Sequence, residues 1–116
     1  MAYSEFLADR VRYRLKGKGA IIEKKMMGGL IFMVNDKMCI GIDIDKKTTN
    51  DRLMVRVGKL PYEELLKEKG SRVMDFTGSV MRGFLFIDPE GFDTEDDLDF
   101  WVSKALEFNQ LLTKSS

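Results

Sequence analysis

Near the start of the chain, Tyr3, Leu7, Val11 and Leu15 recur every four positions, with Phe6 alongside. That spacing predicts a helix over residues 4–16 with one buried face, stopped by Gly17 and Gly19. Residues 28–34 and 37–43 are two apolar stretches separated by Asn35-Asp36, a dipeptide that tolerates positive φ, and a β-hairpin follows from that arrangement. In residues 53–57, Leu53, Val55 and Val57 fall on one face and Met54 and Arg56 on the other, the alternation of a half-buried strand. Residues 21–26 are a candidate extension of the same sheet.

Pro61 suits a first helical position, Glu63 and Glu64 suit the positive first turn, Lys67 and Lys69 the last, and Gly70 the stop. A short helix over residues 61–69 is predicted. Residues 72–76 and 83–88, rich in Val, Phe and Ile, read as two further strands joined through Thr77-Gly78-Ser79. Thr94, with Asp97 three residues on, is an N-cap signature before Leu98, Trp101, Val102, Ala105, Phe108 and Leu112, which share one helical face. The order is helix, three strands, helix, two strands, helix. Helices segregated from a mainly antiparallel sheet make a two-layer α+β domain, here one domain over residues 1–116.

Charge changes this picture little. Lys+Arg and Asp+Glu both number 19, so the net charge is zero, and a protein held to nucleic acid mainly by electrostatics is not expected. The distribution is uneven: residues 1–25 carry seven basic and three acidic side chains, residues 89–116 two basic and seven acidic ones. Oppositely charged end helices on one sheet would attract each other. No apolar run approaches the roughly 18 residues of a membrane span, and the start has no signal-peptide pattern. With Cys39 the only cysteine, the chain reads as cytoplasmic and not membrane-bound.

The absence of histidine excludes Ser-His-Asp and Cys-His catalytic units and the common His-containing zinc sites. Neither a metal nor a cofactor is expected. Cys39 lies in an apolar strand and reads as an inert buried thiol. The acidic group Asp93, Glu95, Asp96, Asp97 and Asp99 lacks the glycine turn and distal glutamate of a calcium loop and suits a helix N-terminus. Asp43 and Asp45 share a strand face and read as a charged strand end, and Trp101 reads as a core anchor. Gly28-Gly29 precedes a strand rather than a helix, so it suggests a bend or bulge, with Met26 and Met27 beside it as an adaptable contact.

Arg10, Arg12, Arg14 and Lys16 are the candidate nucleic-acid contact. At about 100° per residue, however, Arg10 and Arg14 occupy one flank and Arg12 and Lys16 nearly the opposite one. Such arginines cover the edges of a buried stripe with their stems. An enzymatic reading would require Arg56 and nearby carboxylates to gather around a pocket. Phe100 and Leu111 lie together on the flank of the final helix away from its Leu98, Trp101 and Ala105 face, and Met54 and Met74 are expected on the open face of the sheet. Either surface is a candidate contact for a protein partner or for a weak homodimer.

Five blocks in order also resemble the N-terminal domain of the TfoX/Sxy family: "DRVRYRL" from Asp9, "EKKMMGGLIFMVNDKMCIGI" from Glu23, "RLMVRVG" from Arg52, "VMDFTGSVMRGFLFIDPE" from Val73 and "DLDFWVSKAL" from Asp97. Where the family pattern has phenylalanine before the glycine pair, this chain has Met27. The resemblance implies the same α+β sheet domain and carries no catalytic residues. The best-known members are bacterial regulators of natural competence that act with the cyclic-AMP receptor protein at promoters and have a second, helical domain. The chain, ending at Ser116, reads as a stand-alone N-terminal domain, so a non-enzymatic regulatory or adaptor role through an unidentified protein partner is the expected function, with weak nucleic-acid binding as the alternative.

Overall fold

The computed structural model describes residues 3–26, 28–76 and 78–114. Met27 and Thr77, at two of the turns discussed above, lie outside them. The chain runs through α1 (Glu5–Leu15), β1 (Ile21–Met26), β2 (Gly29–Val34), β3 (Lys37–Ile44), β4 (Asp51–Arg56), α2 (Tyr62–Leu65), β5 (Ser71–Phe76), β6 (Ser79–Ile87), a 3-10 turn at Pro89–Gly91 and α3 (Glu95–Lys114). The α+β order stands, with residues 21–26 entering as the first strand. All six strands pair antiparallel in one sheet ordered β1-β2-β3-β4-β6-β5. After α2 the chain places β6 rather than β5 beside β4, which leaves β5 at the edge.

Local signals account for the element ends. The Ser4 hydroxyl accepts from the Leu7 N–H at 3.2 Å and starts α1, and the Thr94 hydroxyl accepts from the Asp97 N–H at 3.1 Å and starts α3. Asn35 and Asp36 take φ of 52° and 66°, the twist that matches a tight hairpin. Gly28, at φ 75°, makes the bend ahead of β2. Two expectations change. Regular helix in the 61–69 stretch is confined to Tyr62–Leu65, because the Lys67 and Glu68 N–H groups then bond only three residues back, to Glu64 and Leu65. β6 begins at Ser79 rather than at residue 83, since beyond the end of β4 it continues to pair with β5, as in Asp75 opposite Val80.

Both long helices lie on one sheet face. Leu7, Val11 and Leu15 of α1 and Leu98, Trp101, Val102 and Ala105 of α3 are buried in one cluster with Phe32, Ile40, Leu53, Val55, Leu85 and Ile87. Phe6, read from the sequence as flanking the apolar stripe, is instead 76% exposed, since it lies off the side of α1 that meets the sheet. Two polar bonds fix the position of α3: the Trp101 indole donates to the Gly91 carbonyl at 3.0 Å, and the Asn109 amide donates to the Val34 carbonyl at 2.9 Å.

The opposite face corrects the sequence reading. Met54 and Met74 point to the side away from the helices, yet they are only 5% and 2% exposed, packed with Ile31 and Phe86. One cross-strand row runs Ile31, Gly41, Met54, Phe86, Arg72 from β2 to β5. Gly41 leaves the space that Ile31 and Met54 fill, since a Cβ there would stand 2.8 Å from Ile31 Cδ1. Met26 of β1 and Met74 of β5 come from opposite edges of the sheet but border the same cavity of about 20 Å³. The sheet therefore coils enough to close a second small core on its own concave side. Truncation of Met54 or Met74 to alanine is expected to lower stability by about 2 kcal/mol or more, whereas Phe6→Ala should change it by less than about 0.5 kcal/mol; urea unfolding at constant m-value checks both.

Candidate functional site

The basic residues of α1 do not form a free stripe. Arg10 reaches Glu95 at 2.6 Å, and Arg14 reaches Asp99 at 2.6 Å and Glu95 at 3.2 Å, so the first turns of α3 take up that flank. Hydrogen bonds from Arg10 and then Arg14 lower the Glu95 pKa. On the other flank Arg12 binds Glu23 and Asp9, each at 2.7 Å, and Glu5 at 3.2 Å. Its hydrogen bonds lower the Glu23 pKa and raise its own. Lys16, exposed at the end of α1, has no carboxylate partner among the described residues. Within the acidic group from Asp93 to Asp99, Glu95 and Asp99 thus tie α3 to α1.

Asp43 and Asp45, at the end of β3, are likewise taken by arginines. Arg52 holds Asp43 through two hydrogen bonds at 2.8 and 3.0 Å, and its guanidinium lies 3.8 Å from the centre of the Phe86 ring. Arg72 bridges Asp45 at 3.3 Å and Asp88 at 2.6 Å, joining the edge strand β5 to the loop after β3. Asp45 also accepts from the Lys47 N–H at 2.9 Å and closes the turn there. Among the described residues no group of three or more Cys, Asp or Glu side chains is placed to hold a metal ion. No described helix is long and apolar enough to cross a membrane.

A substantial concave surface lies elsewhere. A cleft of about 560 Å³ opens between the loop after β4, the middle of β6 and the second half of α3. Leu60, Pro61, Phe84, Phe108 and Leu111 supply apolar walls, and Arg56, Lys59, Arg82 and Lys104 supply cations, against one carboxylate, Glu107. Its floor depends on two glycines at positive φ, Gly58 at 84° and Gly83 at 92°. The Val57 and Gly58 N–H groups both donate to the Gly83 carbonyl, at 2.8 and 3.0 Å, and a Cβ on Gly58 would run into the Phe108 ring. Only glycine gives both the backbone angle and that approach. The Arg56 guanidinium stands 5.4 Å from the Phe84 ring centre and 5.5 Å from that of Phe108.

Of the residues singled out from sequence, Arg56 and Leu111 meet in this cleft, and Phe100 lies beside it, 5.6 Å from the Lys104 ammonium. The α1 basic residues are not part of it. Leu60, Lys59, Arg82 and Lys104 carried no sequence signal for the site, because three separate segments converge there. Phe108, expected on the core face, is half-buried and forms the cleft wall instead. Leu60 is 96% exposed at the rim.

Two ionisable groups make the chemistry of the flanking regions testable. The Lys47 N–H, with Arg52 and Arg72, lowers the Asp45 pKa against the opposing effect of burial. A folded-state pKa below the unfolded one stabilises the fold above about pH 4, and that contribution disappears as pH falls through the folded value. Asp45→Asn should therefore unfold at lower urea at pH 7, and its stability should fall less than the parent's between about pH 5 and pH 2. Burial pushes the Cys39 thiol up to about 12, so Ellman's reagent should leave the native protein unmodified at about pH 8 and titrate one thiol after denaturation.

No curated protein matches the chain. Among protein families, the TfoX N-terminal domain matches residues 14–109, from the last turn of α1 through the whole sheet and well into α3. The match thus spans the entire antiparallel sheet and every segment from which the cleft's walls are drawn up to Phe108, and the chain belongs to the TfoX N-terminal domain family.

Proposed function

We propose that this protein is a non-enzymatic regulatory or adaptor domain that works through protein contacts, and that the cleft between the loop after β4, β6 and α3 is its docking surface. The observation that carries this reading is the lining: apolar walls and cations, with a single carboxylate whose nearest cation is Lys104 at 3.8 Å. It includes no thiol, hydroxyl or imidazole. Such a lining offers apolar binding surface and positive charge and resembles a recognition surface more than a set of convergent catalytic groups. Membership of a regulatory type of family supports the same reading, including a place in transcription or competence control.

The nucleic-acid alternative has less support. Arg10, Arg12 and Arg14 would have to exchange five protein carboxylates for phosphates, and of that group Lys16 alone has no carboxylate partner among the described residues. Affinity capture from the native host, with the parent protein beside Leu60→Asp, tests the docking reading. Because Leu60 is almost fully exposed, the substitution should leave the fold intact while placing a charge at the cleft's apolar rim. A protein enriched over an unrelated small-domain control and lost, by about tenfold or more, with Leu60→Asp is the expected result. Equal capture by both would move the docking surface elsewhere, and no enrichment at all would remove the adaptor role.

A further inference from the structure

The arginines of this molecule divide into those held closely by carboxylates and those that line the cleft. Of the seven arginines, Arg10, Arg12, Arg14, Arg52 and Arg72 each have a carboxylate oxygen within 2.8 Å. The other two, Arg56 and Arg82, both line the cleft. Arg56 has no carboxylate partner among the described residues, and its guanidinium is held over the rings of Phe84 and Phe108. Arg82 meets Glu63 only at 3.5 Å, with both side chains 70% exposed, a contact worth little in water. Lys59, also in the lining, has no ion pair among the described residues. Four cations against one carboxylate, around an apolar floor, make a region of positive potential on a chain of zero net charge.

The surface is also longer than the cleft itself. Phe100, Lys104, Glu107 and Leu111 recur at intervals of four, three and four along α3 and so form one stripe, about 16 Å long at the rise of a helix. Phe100 and Leu111 are exposed apolar ends of that stripe. A compact ligand would fill the cleft and leave the Phe100 end uncovered, whereas a peptide of three or so turns would cover both.

Resting on the docking reading above, we infer that the cleft takes an acidic amphipathic segment of a partner protein. Its apolar anchors seat against Phe84, Phe108 and Leu111, and its carboxylates face Arg56, Lys59, Arg82 and Lys104. Complementary charge of this kind raises the association rate and selects against neutral and basic competitors.

Three fluorescein-labelled peptides test the inference by anisotropy: one with Leu and Phe at helical spacing and Glu between them, and matched versions with Gln or Lys in place of Glu. The acidic peptide should bind saturably and at least about tenfold more tightly than the Gln version, the Lys version should not bind, and added salt should weaken the acidic complex. Arg56→Gln and Arg82→Gln, with unchanged circular dichroism, should each weaken binding several-fold, while Lys18→Gln should not. Equal affinity for the Gln peptide overturns the charge selection and leaves the docking cleft standing. Absence of binding by the acidic peptide at about 1 mM overturns the inference, while capture with Leu60→Asp decides separately whether the docking reading falls. Two other occupants would also overturn it: octanoate perturbing cleft amide resonances when the peptide does not, or sedimentation showing a mass that rises above 13.3 kDa with concentration and returns to it in Leu60→Asp.

Discussion

The seating of α3 on the sheet is the constraint on which the rest of this structure depends. Burial of Leu98, Trp101, Val102 and Ala105 supplies most of the attraction, but hydrophobic contact is not directional and would tolerate a helix slid or turned by part of a residue. Direction comes from two buried hydrogen bonds eight residues apart, Trp101 to Gly91 and Asn109 to Val34. Losing either partner would leave a buried polar group unsatisfied, so the helix has one setting. That setting determines where Lys104, Glu107, Phe108 and Leu111 emerge, and hence where the cleft is.

The same setting decides the fate of the charges. With α3 fixed, Glu95 and Asp99 at its start stand against Arg10 and Arg14 of α1, and the two helices are held together across the sheet by exposed but short ion pairs. On the concave side of the sheet, Arg52 and Arg72 take Asp43, Asp45 and Asp88 while closing over the Phe86 ring. Arginine suits both places because its planar fork can bind a carboxylate and lie against an aromatic ring at once. The two arginines without a close carboxylate among the described residues, Arg56 and Arg82, both line the cleft, where Arg56 meets two phenylalanine rings.

Curvature of the sheet links these features. A flat sheet would have left Met54 and Met74 exposed on its outer side, but coiling brings the edge strands β1 and β5 toward a common cavity and buries both methionines. The irregular registers between Phe32 and Met33 in β2 and between Val73 and Asp75 in β5 add local twist. Gly58 and Gly83 let two backbone segments approach each other closely beneath the Phe108 ring, and that approach makes the floor of the cleft.

Local signals in the sequence were sufficient for the elements and for much of their orientation. The four-residue spacing of Leu7, Val11 and Leu15, the Thr94 cap and the Asn35-Asp36 turn each act within a few residues, so their consequences were legible before any fold was known. Helical geometry likewise separated Arg12 from Arg10 and Arg14. The partners of those arginines were not legible, since Glu95 and Asp99 lie more than 80 residues away and meet α1 only once both helices are packed. Alternation placed Met54 away from the helices but could not show that the sheet would bend around it, because curvature is a property of all six strands together. Nor could it show the cleft, whose residues come from three segments that become neighbours only when β6 returns beside β4 and α3 settles over them. Periodicity assigns a side chain to a face; tertiary packing alone decides what, if anything, covers that face.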